Sequence, residues 1–251
     1  MERRPLIAGN WKMNLGVVES KNLAEQICKS ASGASDRDVL IAPTFTSMPI
    51  VAAALEGSSV LLAGQNVCWA ENGAFTGEIS PVMLAELGCR FAIIGHSERR
   101  HIFGENDALI NQRIKGALKF GLTPIHCIGE TLDDREADQT MTVLESQLRK
   151  GLHEISISKA DNLVIAYEPV WARGTGKTAS KEQAQEVHAF VRKILTDIFE
   201  KSIASQMRIL YGGSVNPENI DSLMGQNDID GALVGGAALK ADMFDRIIHF
   251  R

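Results

Sequence analysis

Several polar residues stand directly behind short apolar runs. Asn10 and Lys12 follow Leu6-Ile7-Ala8-Gly9, and His96 and Glu98 follow Phe91-Ala92-Ile93-Ile94-Gly95. Glu168 ends the run from Leu163 to Tyr167. Ser214 lies behind Arg208-Ile209-Leu210-Tyr211, and Gly235-Gly236 close Gly231-Ala232-Leu233-Val234. A carboxylate can take a proton, an imidazole can donate one, and an ammonium can stabilise an oxyanion. Glycines let backbone N–H groups approach an anion closely. On one face, this set suits proton abstraction beside a carbonyl in a small phosphorylated substrate.

Glu168 is the most constrained of these residues. Pro169 biases it towards extended backbone and ends the strand, because proline cannot donate to a ladder. Beyond it lie Val170-Trp171-Ala172 and the glycine-rich exit Gly174-Thr175-Gly176. A proline before and glycines after an apolar body predict a hinged lid. Gly176-Lys177-Thr178 imitates the end of a P-loop, but that motif needs glycine where Trp171 stands, so a nucleotide cradle is disfavoured.

The elements that must carry these residues alternate. Strands are predicted at 6–10, 39–42, 60–63, 91–95, 123–128, 163–168, 208–211 and 231–234. Helical patterns lie near 17–29, 49–55, 107–119, 141–152, 184–199 and 241–248, with shorter ones opening at Ser80-Pro81 and near Glu218. Alternation implies a parallel sheet. Eight repeats in 251 residues fit one closed (β/α)₈ barrel domain over 1–251, whose strand C-termini form the working face. An open doubly wound sheet is the alternative, but Gly9-Asn10-Trp11-Lys12 is not its glycine fingerprint.

Composition excludes other classes. The formal net charge of −5 disfavours nucleic-acid binding. Cys28, Cys68, Cys89 and Cys127 are dispersed, which indicates neither zinc nor disulfides; Cys28 and Cys89 read as small core residues near helix ends. No run reaches transmembrane length and no signal peptide is legible, so a cytoplasmic soluble protein is expected. The long loop from Gln65 to Gly77, with Trp69 and Phe75, predicts an interface.

Five segments are similar to the triosephosphate isomerase family, collinearly across nearly the whole chain. They are Gly9-Asn10-Trp11-Lys12-Met13-Asn14, Gly95-His96-Ser97-Glu98-Arg99-Arg100, the run from Ala166 to Ala172, Gly174-Thr175-Gly176-Lys177, and Tyr211-Gly212-Gly213-Ser214-Val215. The resemblance implies interconversion of dihydroxyacetone phosphate and D-glyceraldehyde 3-phosphate through an enediolate, with no cofactor and no metal. It implies that Glu168 is the base, that His96 polarises the carbonyl as a neutral imidazole, and that Lys12 attracts the substrate and stabilises negative charge. Asn10 is implied as a hydrogen-bonding neighbour and Glu98 as a carboxylate close to Lys12 and His96. Gly174, Ser214, Gly235 and Gly236 are implied to grip phosphate. A homodimer is implied, with Thr76 at the tip of the interface loop. Arg173 departs from the family, which usually has isoleucine at this position of the lid. The competing readings are a non-catalytic phosphate-binding barrel and a nucleotide-dependent enzyme.

Overall fold

Continuous apolar runs become strands when both faces of a sheet are covered. The computed structural model describes residues 3–172 and 179–251. Its strands are β1 (Leu6–Asn10), β2 (Asp38–Ala42), β3 (Leu61–Gly64), β4 (Cys89–Ile94), β5 (Thr123–Ile128), β6 (Val164–Tyr167), β7 (Arg208–Tyr211) and β8 (Gly231–Val234). All neighbours pair in parallel, and β1 pairs with both β2 and β8, closing the barrel. That closure rules out the open doubly wound sheet.

Side chains alternate across each strand. Leu6, Ala8, Leu40, Ala42, Phe91, Ile93, Ile125, Cys127, Val164, Ala166, Leu210 and Leu233 form one buried cluster inside the barrel. Ile7, Ile41, Ala92, Ile94, Ile165 and Ile209 face outwards and join the larger cluster with the helices. The helices are α1 (Val17–Ala31), α2 (Met48–Ala54), α3 (Pro81–Glu86), α4 (Ser97–His101), α5 (Asp107–Lys119), α6 (Leu132–Glu136), α7 (Thr140–Gly151), α8 (Lys181–Ile198), α9 (Lys201–Ala204), α10 (Ile220–Met224) and α11 (Ala241–Ile248). Their apolar stripes supply that outer layer, as Leu23, Ala24 and Ile27 do from α1 and Phe244, Ile247 and Ile248 do from α11.

Caps set several boundaries. The Ser80 hydroxyl accepts the Val82 N–H ahead of α3, and Ser180 and Gln183 form a reciprocal capping box that starts α8 at Lys181, before its first buried residue, Ala184. Three short helices go beyond the predicted pattern. α4 and α6 read Ser-Glu-Arg-Arg-His and Leu-Asp-Asp-Arg-Glu, with no apolar period, and α9 is a single turn. Cys89 is a buried core residue that opens β4 shortly after the end of α3, and its thiol lies 3.5 Å from the Met48 sulfur. Among the described residues no helix is long and apolar enough to cross a membrane.

Candidate active site

Alternation along β6 decides where the carboxylate points. Val164 and Ala166 face the barrel interior, and Glu168 continues that register at the C-terminal mouth. Its backbone N–H donates to Ile128 O at 2.8 Å, so the β5–β6 ladder reaches the carboxylate itself. The side chain is only 2% exposed, and a buried carboxylate needs partners. Oε2 accepts the Ser97 N–H at 2.9 Å, and Oε1 lies 2.8 Å from His96 Nε2.

His96 caps α4, its Nδ1 accepting the Glu98 N–H at 3.3 Å. Nδ1 also lies 3.4 Å from Glu98 Oε2, and with Nδ1 turned to Glu98 it is Nε2 that faces the cleft. The imidazole therefore presents Nε2 to the carboxylate at the cleft.

Asn10 continues the inward register of Leu6 and Ala8 at the same mouth. Its Oδ1 accepts the Lys12 N–H at 3.0 Å. Lys12 has φ of 52°, a left-handed conformation that costs a non-glycine residue about 1–2 kcal/mol. Gln65 Nε2 ties down the Lys12 carbonyl at 2.8 Å and that of Ala42 at 2.9 Å. This conformation aims the ammonium across the mouth, where Nζ meets Glu98 Oε1 at 2.8 Å. The Lys12 side chain stays 32% exposed and accessible to an anion.

These groups share a cleft of about 270 Å³. Asn10, Lys12, His96, Glu168, Ser214, Gly235 and Gly236 all line it. The glycines leave room. A Cβ on Gly212 would stand 2.9 Å from Glu168 Cγ, and one on Gly235 would stand 3.4 Å from Lys12 Cε. Buried Glu130 accepts from Tyr167 Oη at 3.1 Å and Trp171 Nε1 at 2.7 Å, the residues flanking Glu168-Pro169-Val170. Burial first, and the Glu130 charge second, hold the Tyr167 hydroxyl well above the usual tyrosine range, so it remains a donor.

A family model described as triosephosphate isomerase matches residues 5–251. The chain belongs to the triosephosphate isomerase family. A protein of that name from Syntrophotalea carbinolica is 52% identical over 250 residues, covering 99% of both chains. Those from Geobacter metallireducens and Citrifermentans bemidjiense are each 51% identical, over 249 and 248 residues, again covering 99% of both chains.

Of the residues predicted from sequence, Asn10, Lys12, His96, Glu168, Ser214, Gly235 and Gly236 line the cleft together. Glu98 stands behind Lys12, outside the lining. Gly174 and Arg173 lie outside the described residues. Sequence reasoning named no role for Ser97, because it contributes a main-chain N–H. It also missed Leu233, Ala237 and Met243, cleft-lining residues that read as ordinary core or helix positions.

Proposed function

We propose that this chain interconverts dihydroxyacetone phosphate and D-glyceraldehyde 3-phosphate, with Glu168 as the base. The observation that carries the reading is the Glu168–His96 contact of 2.8 Å at a cleft shared with Lys12 and the glycine-rich β7 and β8 ends. Glu168 takes a proton from the carbon beside the substrate carbonyl. His96 Nε2–H donates to the carbonyl oxygen as it gains charge, and Lys12 stabilises the enediolate. Glu168 then returns a proton to the neighbouring carbon, while the first carbon's hydroxyl gives its proton back to His96, replacing the one passed to the former carbonyl oxygen; the first carbon becomes the new carbonyl and the second carries the new hydroxyl. Bonds and electrons balance without an oxidant or reductant. Asn10 holds Lys12 in place, and the N–H groups around Ser214, Gly235 and Gly236 take the phosphate. Glu98 neutralises the resting ammonium, so an incoming phosphate competes with it for Lys12.

Membership of the family supports the reaction, and the geometry supports the roles. A coupled assay of triose phosphate interconversion tests the reading: turnover is expected, and a folded protein without turnover would refute it.

We further propose a homodimer through the loop around Thr76. Met13 is 93% exposed, Ile102 72% and Phe103 66%, apolar surface that a partner would cover. Trp69 is a correction to the sequence argument. It packs partly on its own subunit, edge-on to Phe75 at 5.2 Å and above Gly116, where a Cβ would fall 2.4 Å from Trp69 Cα. The loop is thus shaped before any partner arrives. Light scattering is expected to give twice the monomer mass; an active monomer at micromolar concentration would refute the dimer. The four cysteines lie far apart in sequence and show no disulfide-framework spacing, which suits a cytoplasmic location.

A further inference from the structure

In a strand, each residue points its N–H and C=O to one side, and the next residue points to the other. At the end of β5, Ile128 and Glu130 face β6: Ile128 O accepts from Glu168 N at 2.8 Å and Glu130 O from Val170 N at 3.2 Å. Cys127 and Gly129 must then face β4. That strand has already ended, because the β4–β5 register stops at Ile94 and His126, and Gly95, with φ of 72°, turns the chain into α4. Two side chains take the place of the missing strand. Arg100 Nη2 donates to Cys127 O at 3.0 Å. Gln147, on α7, accepts the Gly129 N–H with Oε1 at 2.8 Å and donates Nε2–H to Gly129 O at 3.1 Å.

We infer that Gln147 is a positioning residue for the base, its amide acting as a one-residue strand that fixes Gly129 and, through it, the backbone of Glu168. The inference rests on the reading of Glu168 as the base. Transmission is direct because the contact has no slack: a Cβ on Gly129 would lie 1.9 Å from Glu168 O. The far end is also fixed. Asn111 Nδ2 donates to Gly151 O and His153 O, both at 2.9 Å, tying the end of α7 to α5. The His126 ring fills the space left by Gly151, where a Cβ would fall 2.5 Å from Nε2. α7 is therefore held against β5, and Gln147 reaches from a fixed support to the tip beside the base. A displacement of about 1 Å at a reacting group can lower turnover about 100-fold.

The test compares the full-length wild type with Gln147→Leu and Gln147→Glu. Turnover is followed by coupled assay, and binding of inorganic phosphate and of a planar phosphorylated hydroxamate that mimics the enediolate is followed by calorimetry. Leucine has similar size and removes both hydrogen bonds. Its kcat is expected to fall about 10- to 100-fold. Its hydroxamate Kd should weaken at least about tenfold and its phosphate Kd should stay within about twofold, because only the first ligand reports the base. Calorimetric stoichiometry counts folded sites, so a loss of active protein cannot imitate this split. Ionised glutamate keeps the acceptor but opposes Gly129 O, whereas a protonated carboxyl restores both bonds. The ratio of Gln147→Glu to wild-type kcat should therefore rise as pH falls towards 5. A kcat within twofold of wild type in Gln147→Leu, or equal weakening of both ligands, overturns the inference. Should Gln147→Leu not fold, a pH-independent ratio for Gln147→Glu overturns it. Wild-type turnover tests the isomerase reading separately: a wild type without turnover sinks that reading, whereas equal turnover in wild type and Gln147→Leu sinks only this one.

Discussion

Replacing Gly129 by alanine inserts one methyl group at the tightest backbone approach near the base. The φ of Gly129 is not in the left-handed region, so alanine can adopt the backbone and the effect is one of space. The added Cβ would lie 1.9 Å from Glu168 O, whereas real Cβ contacts essentially never fall below 3.0 Å, so the two strand tips must separate by at least about 1.1 Å. Little can absorb this. The Glu168 N–H is held by Ile128 O at 2.8 Å, and its carboxylate is held by Ser97 N at 2.9 Å and His96 Nε2 at 2.8 Å. Moving Glu168 by this distance breaks at least one of those contacts and, with Glu168 as the proposed base, misaligns it with the substrate carbon. Overpacking costs about 1–3 kcal/mol of stability, and misplacement of about 1 Å lowers kcat about 100-fold. Purified Gly129→Ala should therefore remain folded by urea titration and lose turnover in a coupled assay. A folded Gly129→Ala with kcat within threefold of wild type would refute the claim that this approach fixes the base.

Lys12→Met should fold normally, since methionine tolerates the left-handed backbone no worse than lysine, yet bind inorganic phosphate about 10- to 100-fold more weakly at low salt. Unchanged calorimetric affinity would remove Lys12 from the anion site. Two buried histidines predict the acid limb of stability. Burial, aided by the Arg100 charge, lowers His126 from 6.5 to about 3. Burial also lowers His188 to about 4, with Arg192 pulling the same way and the Asp228 carbonyl opposing. Both folded values lie below the unfolded one, so the unfolded chain takes up protons first and stability falls as pH drops below about 6.5. Each histidine contributes about 1.4 kcal/mol per pH unit well inside that window. In urea titrations, His126→Leu should gain on wild type by about that amount between pH 6 and 5; a pH-independent difference would contradict a neutral buried His126.

The barrel was legible because its physics is local and repeated. Leu163 to Tyr167 reads as a strand covered on both faces, and Glu168-Pro169 marks where it stops. The period of two along that strand turns the carboxylate into the mouth. The glycines after β7 and β8 mark the ends of those strands for a similar reason, and Gly212, Gly213, Gly235 and Gly236 line the cleft. α4 and α6 were not legible, because five-residue charged helices carry no apolar period and are fixed by His96 and Thr131 caps. Ser97 was invisible for another reason: its contribution is a main-chain N–H, which every residue but proline has. Gln147 reads as a polar residue on an amphipathic helix, and only the early end of β4 gives it something to replace. The left-handed Lys12 could not be anticipated, since lysine rarely adopts that backbone.

The most direct measurement is coupled-assay turnover of dihydroxyacetone phosphate by the wild type and by Glu168→Gln, each also titrated with inorganic phosphate. Glutamine keeps an acceptor for the Ser97 N–H but cannot take a proton from carbon. The expected result is turnover in the wild type, a fall in kcat of about 10²–10⁴-fold in the variant, and phosphate affinity within about twofold in both. Near wild-type kcat in Glu168→Gln would show that Glu168 is not the base. Phosphate binding without turnover in the wild type would leave a non-catalytic phosphate-binding barrel.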